Sequence, residues 1–153
     1  MIIAKDDIST LAAVLKRAGE RLVLTNGCFD ILHRGHVEYL KKARSLGDVL
    51  IVGVNTDQSV RSYKGEGRPI NTEDDRATVV AALAAVDYVV LFEERTAENL
   101  VRLVRPDIYV KGADYKVKDI PEAQIVLGYG GRVELIDFVQ GRSTTNIISK
   151  IKG

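Results

Sequence analysis

Short apolar runs alternate with amphipathic stretches along this chain. Positions Leu11, Val14, Leu15 and Ala18 share one face of a helix predicted over 8–17, with Gly19 as its stop. Residues 21–25 form a compact apolar run suited to a buried parallel strand. A Gly-containing turn at 26–30 precedes a helix over 35–46, whose Val37, Leu40 and Ala43 face inward and which Gly47 closes. A second strand is predicted over 49–54 and a polar, Gly-rich loop over 62–71. The next helix, 72–83, carries acidic residues in its first turn, where the dipole favours them. Strands over 88–92, 108–110 and 132–136 then alternate with helices over 96–104, 121–128 and 143–151. This alternation argues a single α/β domain built on a five-stranded parallel sheet with helices on both faces. Residues 1–20 would be an N-terminal helical segment ahead of a core over 21–153.

Composition narrows the function classes. The 153 residues suit one domain, and 22 basic against 21 acidic residues leave a formal net charge of +1. No global field exists to hold nucleic acid or an anionic membrane, so anion binding has to be local. The first residues lack a basic segment followed by an apolar core. The most apolar stretch, 79–92, is cut by Asp87 and falls short of the ~20 residues that a membrane span requires. A cytoplasmic protein is expected. The single cysteine, Cys28, excludes an internal disulfide and a Cys-cluster zinc site.

In open parallel sheets, ligands bind beyond the carboxyl ends of the strands, where strand order reverses. The loop after the first strand carries neither G-x-G-x-x-G nor G-x-x-x-x-G-K-[ST], which removes the main support for dinucleotide and P-loop readings. It reads Thr25-Asn26-Gly27-Cys28-Phe29-Asp30-Ile31-Leu32-His33-Arg34-Gly35-His36. His33 and His36, at i and i+3 of a helix entrance, can aim at one point before the free backbone N–H groups. Gly35 lets a ligand approach the backbone closely. Two ring donors, a helix N-terminus and a Gly turn make a phosphate site. The competing readings are two unrelated surface histidines or a metal pair completed by Asp30; Arg34 between the rings disfavours a cation.

Gly141-Arg142-Ser143-Thr144-Thr145-Asn146 opens the last helix. Ser143 or Thr144 suffices as an N-cap. Three consecutive hydroxyls beside Arg142 would also make a second anion-binding terminus, and two such termini could hold a triphosphate. Arg76 is a cation at the start of an otherwise acidic helix, which suggests a ligand or ion-pair role. Lys111 and Asp114 follow the fourth strand at the ligand edge, and Asn55 and Asp57 follow the second, where they could hydrogen-bond sugar hydroxyls. Cys28 lacks a His–Asp arrangement and reads as packing under the phosphate loop. Tyr63, Tyr115 and Tyr129 could stack on a base or serve the core.

The H-x-G-H run His33-Arg34-Gly35-His36 and the run Ser143-Thr144-Thr145-Asn146-Ile147 resemble the two signatures of the cytidylyltransferase-like nucleotidyltransferase superfamily. With Val54-Asn55-Thr56-Asp57, Lys64-Gly65-Glu66-Gly67-Arg68-Pro69-Ile70-Asn71 and Val110-Lys111-Gly112-Ala113-Asp114-Tyr115 between them, the chain is similar, more narrowly, to the heptose 1-phosphate adenylyltransferases. The resemblance implies a Rossmann-like fold and AMP transfer from ATP to the sugar phosphate, giving ADP-heptose and pyrophosphate. Mg²⁺ would ride on the nucleotide phosphates, with no protein side chains as its ligands. The partners would be small molecules, in a homodimer, with no nucleic acid or membrane. It assigns His33 and His36 to the α- and β-phosphates, and Ser143, Thr144 and Thr145, beside Arg142, to the β- and γ-phosphates. Asn26, Gly27, Cys28 and Phe29 would line the phosphates and ribose by backbone contact, and Lys111, Gly112 and Asp114 would approach nucleotide or sugar. Lys64 and Arg68 match a lysine-bearing loop over the phosphates. Asn55, Asp57, Arg68 and Arg76 would serve the acceptor. In many bacteria this activity sits behind a sugar kinase; this chain would be the stand-alone form. The alternatives are a transferase acting on another phosphorylated alcohol, such as glycerol 3-phosphate, and a non-catalytic nucleotide sensor.

Overall fold

In the computed structural model, which describes residues 1–139 and 141–153, the apolar runs become β1 (Leu22–Gly27), β2 (Val49–Asn55), β3 (Tyr88–Phe92), β4 (Ile108–Gly112) and β5 (Arg132–Ile136). They form one parallel sheet in the order β3-β2-β1-β4-β5. The chain fills one side of β1 first and then returns to the other, so strand order reverses between β1 and β4. Beyond that carboxyl edge a ligand crevice is expected.

The helices are α1 (Lys5–Arg17), α2 (Arg34–Arg44), α3 (Asp57–Lys64), α4 (Glu73–Ala81), α5 (Glu98–Val104), α6 (Pro121–Gly128) and α7 (Thr144–Lys152). Successive strand residues point to opposite faces, so Leu22 and Leu24 join one core with α1, α5 and α6. Val23, between them, joins a second core with α2 and α4. Both faces of β1 and β2 are therefore apolar, and each fully buried Leu, Ile or Val contributes about 1.5–3 kcal/mol relative to exposure. Before α1, Ile3 N–H donates to Val89 O at 2.8 Å, which ties the N-terminal segment to the sheet. No helix among the described residues is long and apolar enough to cross a membrane.

Several boundaries differ from the pattern-based expectation. β1 runs on through Asn26 and Gly27, which pair with Gly53 and Val54, so the turn starts at Cys28. β4 likewise extends to Gly112. The expected loop over 62–71 is shorter, because α3 continues to Lys64. That helix is capped by Thr56, whose hydroxyl accepts from Ser59 N–H at 3.3 Å. It buries only Ser59 and Val60, too little to leave a periodic apolar signature.

Candidate active site

The turn after β1 is built from behind. Asp30, 4% exposed, accepts from Ile70 N–H at 2.8 Å, Asn71 N–H at 2.9 Å and Arg68 Nε at 3.2 Å. Arg76 lies beneath the turn with its guanidinium fully engaged. It donates to Cys28 O at 2.7 Å, Asp57 Oδ1 at 2.8 Å and Asn71 O at 3.0 Å. The unusual cation at the start of α4 is thus an internal tie between the turn, α3 and the loop before α4. Asp57, Arg68 and Arg76 hold this frame, and Arg76 also lines a second cavity of about 320 Å³ with Asp30, Asn71 and Asp75.

The spacing of the two histidines has a local cause. His33 is the N-cap of α2, and its Nδ1 accepts from Gly35 N–H at 3.0 Å. His36 reaches back, its Nδ1 accepting from His33 N–H at 3.3 Å. This is a capping box made of two imidazoles. A Cβ at position 35 would stand 2.7 Å from His33 Cε1, so only glycine fits between them. With both Nδ1 atoms accepting backbone N–H groups, a neutral ring carries its proton on Nε2, free to donate outward. The ring centroids are 4.0 Å apart. Burial, then the charges of His33 and Lys64, push His36 down to about 4. Burial and Arg142 lower His33. At neutral pH the pair is a set of neutral donors rather than two cations.

Ser143 caps α7, its Oγ accepting from Asn146 N–H at 3.0 Å. Thr144 Oγ1 donates to Ile31 O at 3.0 Å, which binds the start of α7 to the β1–α2 turn. The Arg142 side chain passes over Gly35, and Arg142 and Thr145 are exposed. The two helix N-termini are therefore neighbours, although their signatures lie more than a hundred residues apart in sequence.

A cavity of about 470 Å³ opens beside them. Its floor is the end of β1, Asn26 to Phe29, with His36 on one side. Asn55 from β2, Lys64 from α3, Lys111 and Gly112 from β4, and Asp114 just beyond it complete the wall that the sequence anticipated. His33, Gly35 and the Arg142–Thr145 run lie outside that lining. Burial lowers the Lys111 ammonium, while Glu122 and Asp114 raise it. Lys111 Nζ also stands 4.8 Å from the Tyr115 ring centroid. Tyr63 contacts Cys28 Sγ at the rim, and Tyr115 joins the lining. Tyr129 is structural: its hydroxyl donates to Pro106 O at 2.6 Å and its ring lies under Arg105.

Arg95, Thr96, Glu122 and Phe138 line the cavity without having been picked out from the sequence. Each had a bland explanation there. Glu122 is an acid in the first turn of a helix, which the dipole alone accounts for. Arg95 and Thr96 follow β3, and only strand order reveals that the β3 exit faces the switch point.

A strand-turn-helix unit at the reversal of a parallel sheet, with a second helix terminus beside it, is the architecture of a nucleotide-handling α/β protein. The chain belongs to the cytidylyltransferase-like family, whose model matches residues 24–149. It is 53% identical over 146 residues to the bifunctional protein HldE of Geobacter sulfurreducens, covering 95% of this chain and 30% of that protein. It is 55% identical over 146 residues to the HldE of Campylobacter concisus, again covering 95% and 30%. The chain thus spans about three tenths of the length of these curated relatives. Among solved structures, a lipopolysaccharide core biosynthesis protein from Thermoplasma volcanium superposes with a TM-score of 0.65 at 33% identity, over 81% of this chain and 100% of that one. A pantothenate synthetase from Thermus thermophilus shares the fold, with a TM-score of 0.65 at 20% identity over 95% of this chain and 66% of that one.

Proposed function

We propose that this domain transfers AMP from ATP to D-glycero-β-D-manno-heptose 1-phosphate, releasing pyrophosphate and forming ADP-heptose. The observation that carries the reading is the pair of tautomer-fixed imidazoles at one helix terminus, packed against a second terminus rich in hydroxyls. Identity above 50% to HldE proteins over nearly the whole chain, together with the five ordered motifs, supports the particular reaction.

The second pKa of a phosphate monoester is about 6, so the sugar phosphate is largely dianionic at neutral pH and needs no general base. One of its oxygens attacks the α-phosphorus as the bond to the β-phosphate bridging oxygen breaks, and the electron pair leaves with pyrophosphate. Catalysis is then positioning and charge neutralisation. His33 and His36 donate from Nε2 to the α- and β-phosphates. Arg142, Ser143, Thr144 and Thr145 meet the β- and γ-phosphates at the α7 terminus. Lys64 and Lys111 supply positive charge at the reacting phosphates. Among the described residues, no three His, Cys, Asp or Glu side chains group to hold a metal ion. Mg²⁺ would be held by the phosphate oxygens and would neutralise charge on the leaving pyrophosphate.

The test is a pyrophosphate-release panel crossing ATP and CTP with heptose 1-phosphate and glycerol 3-phosphate, with Mg²⁺ present. ATP with heptose 1-phosphate is expected to give the highest kcat/KM. Faster turnover with CTP or glycerol phosphate would reassign the substrates, and no release with any pair would remove the enzymatic reading.

A further inference from the structure

We infer that Glu122 is the residue that reads the sugar of the acceptor, accepting hydrogen bonds from its hydroxyls at the end of the cavity away from the triphosphate. The inference deepens the functional reading above and rests on it for the direction of attack.

In-line transfer fixes that direction. With pyrophosphate leaving toward the α2 and α7 termini, the attacking phosphate has to enter from the opposite side of the α-phosphorus. That side is where the cavity passes Lys111 and crosses the sheet edge to the face covered by α5 and α6. There Glu122, only 4% exposed, projects from the first turn of α6 into the lining. One of its oxygens, Oε1, accepts from Ala97 N–H at 2.9 Å, which pins the side chain. The Tyr109 hydroxyl, which donates to Asn26 Oδ1, also lies against this carboxylate, and the carboxylate lines the cavity beside it. The neighbouring wall is also made of acceptors. Both hydrogens of the Asn55 amide are directed to protein, Nδ2 donating to Ser59 Oγ at 3.0 Å and Glu94 O at 3.4 Å, which leaves Oδ1. Thr96 Oγ1 donates to Glu98 Oε1 at 3.0 Å and keeps its lone pairs. A nucleobase edge carries few donors, whereas a polyol carries one on every hydroxyl. A buried carboxylate among such acceptors suits a polyol, and charge-assisted hydrogen bonds are about twice as strong as neutral ones. Lys111 nearby meets the acceptor's phosphate and balances the Glu122 charge.

The experiment compares the wild-type chain with Glu122→Gln, which keeps the shape and the bond from Ala97. Binding of heptose 1-phosphate and of inorganic phosphate is measured by calorimetry with a non-hydrolysable ATP analogue present, and steady-state KM values are measured alongside. The wild type is expected to prefer the sugar phosphate. Glu122→Gln should weaken its binding and raise its KM by about 10-fold or more, leaving inorganic phosphate binding and the KM for ATP within about 2-fold. An unchanged sugar preference, or a rise confined to ATP, overturns the assignment. Glu122→Asp, with the same charge on a shorter stem, should restore part of the preference; a purely structural role would give no such rescue. Absence of pyrophosphate release from the wild type overturns the proposed reaction alone, because the binding comparison still scores Glu122.

Discussion

The two helix termini proposed to hold the triphosphate are made in opposite ways. The β1–α2 turn is held by buried groups: Arg76 satisfies Cys28 O from behind, Asp30 ties the turn to the backbone of Ile70 and Asn71, and the imidazole capping box sets its front. The α7 terminus has a single cap at Ser143 and one bond to Ile31 O, and α7 buries no residue. The first is rigid before any ligand arrives. The second leans on it, so its order is worth little to the fold and, in the proposed function, much to a bound triphosphate. Preorganised donors cost no rearrangement during reaction, and in the proposed reaction a loosely held terminus would let substrate enter and pyrophosphate leave.

The contrast breaks first at Arg76. Replacing it with methionine removes the tie among Cys28 O, Asn71 O and Asp57, leaving Asp57 and two carbonyls without their donor. Stability is expected to fall by about 3–5 kcal/mol, read as a lower urea midpoint. Arg142→Ala, a larger truncation at the other terminus, should nonetheless move the midpoint by less than about 0.5 kcal/mol. Equal shifts for the two variants would erase the distinction.

His36→Ala comes next. It deletes one Nε2 donor and one bond to His33 N–H, so folding should survive while kcat falls about 10²- to 10³-fold in the pyrophosphate assay, the loss typical for one preorganised donor. A drop confined to stability would make the histidine a cap alone.

This double role explains how far the site was legible beforehand. H-x-G-H stands out because the cap, the glycine and the ligand all demand it at once. The strands were visible because both faces of β1 and β2 are buried, leaving uninterrupted apolar runs. The helix α3 escaped because it buries only two residues. Glu122 escaped because a first-turn acid needs no further reason. Arg76 was conspicuous as a cation in the wrong place, but its three acceptors come from distant segments that only the fold assembles.

A smaller effect follows from protonation. Both imidazoles are held below the ordinary value of 6.5, His36 at about 4, so the folded state binds fewer protons than the unfolded one. The stability gained is complete above about pH 6.5 and is lost as pH falls toward about 4, by up to about 1.4 kcal/mol per unit from His36. Donation from neutral rings also predicts a rate that stays level from pH 7 to 9. A rate that decays through pH 6.5 with rising pH would mean that imidazolium is the working form.

The smallest effect on the fold belongs to Ser143, and it separates order from binding at the weaker terminus. Ser143→Ala loses the bond from Asn146 N–H, worth about 1 kcal/mol to a helix. Because α7 buries nothing, that loss should appear as faster amide exchange within α7, with the urea midpoint nearly unmoved. The KM for ATP should rise about 5- to 10-fold, since the terminus would have to be ordered by the triphosphate itself. Ser143→Asp restores the cap, and with it slow exchange, but places a carboxylate against the phosphates. If its KM for ATP returned to the wild-type value, capping alone would explain the serine. A KM still higher than that of Ser143→Ala, on a fully protected helix, would show that the hydroxyl faces phosphate as well as backbone.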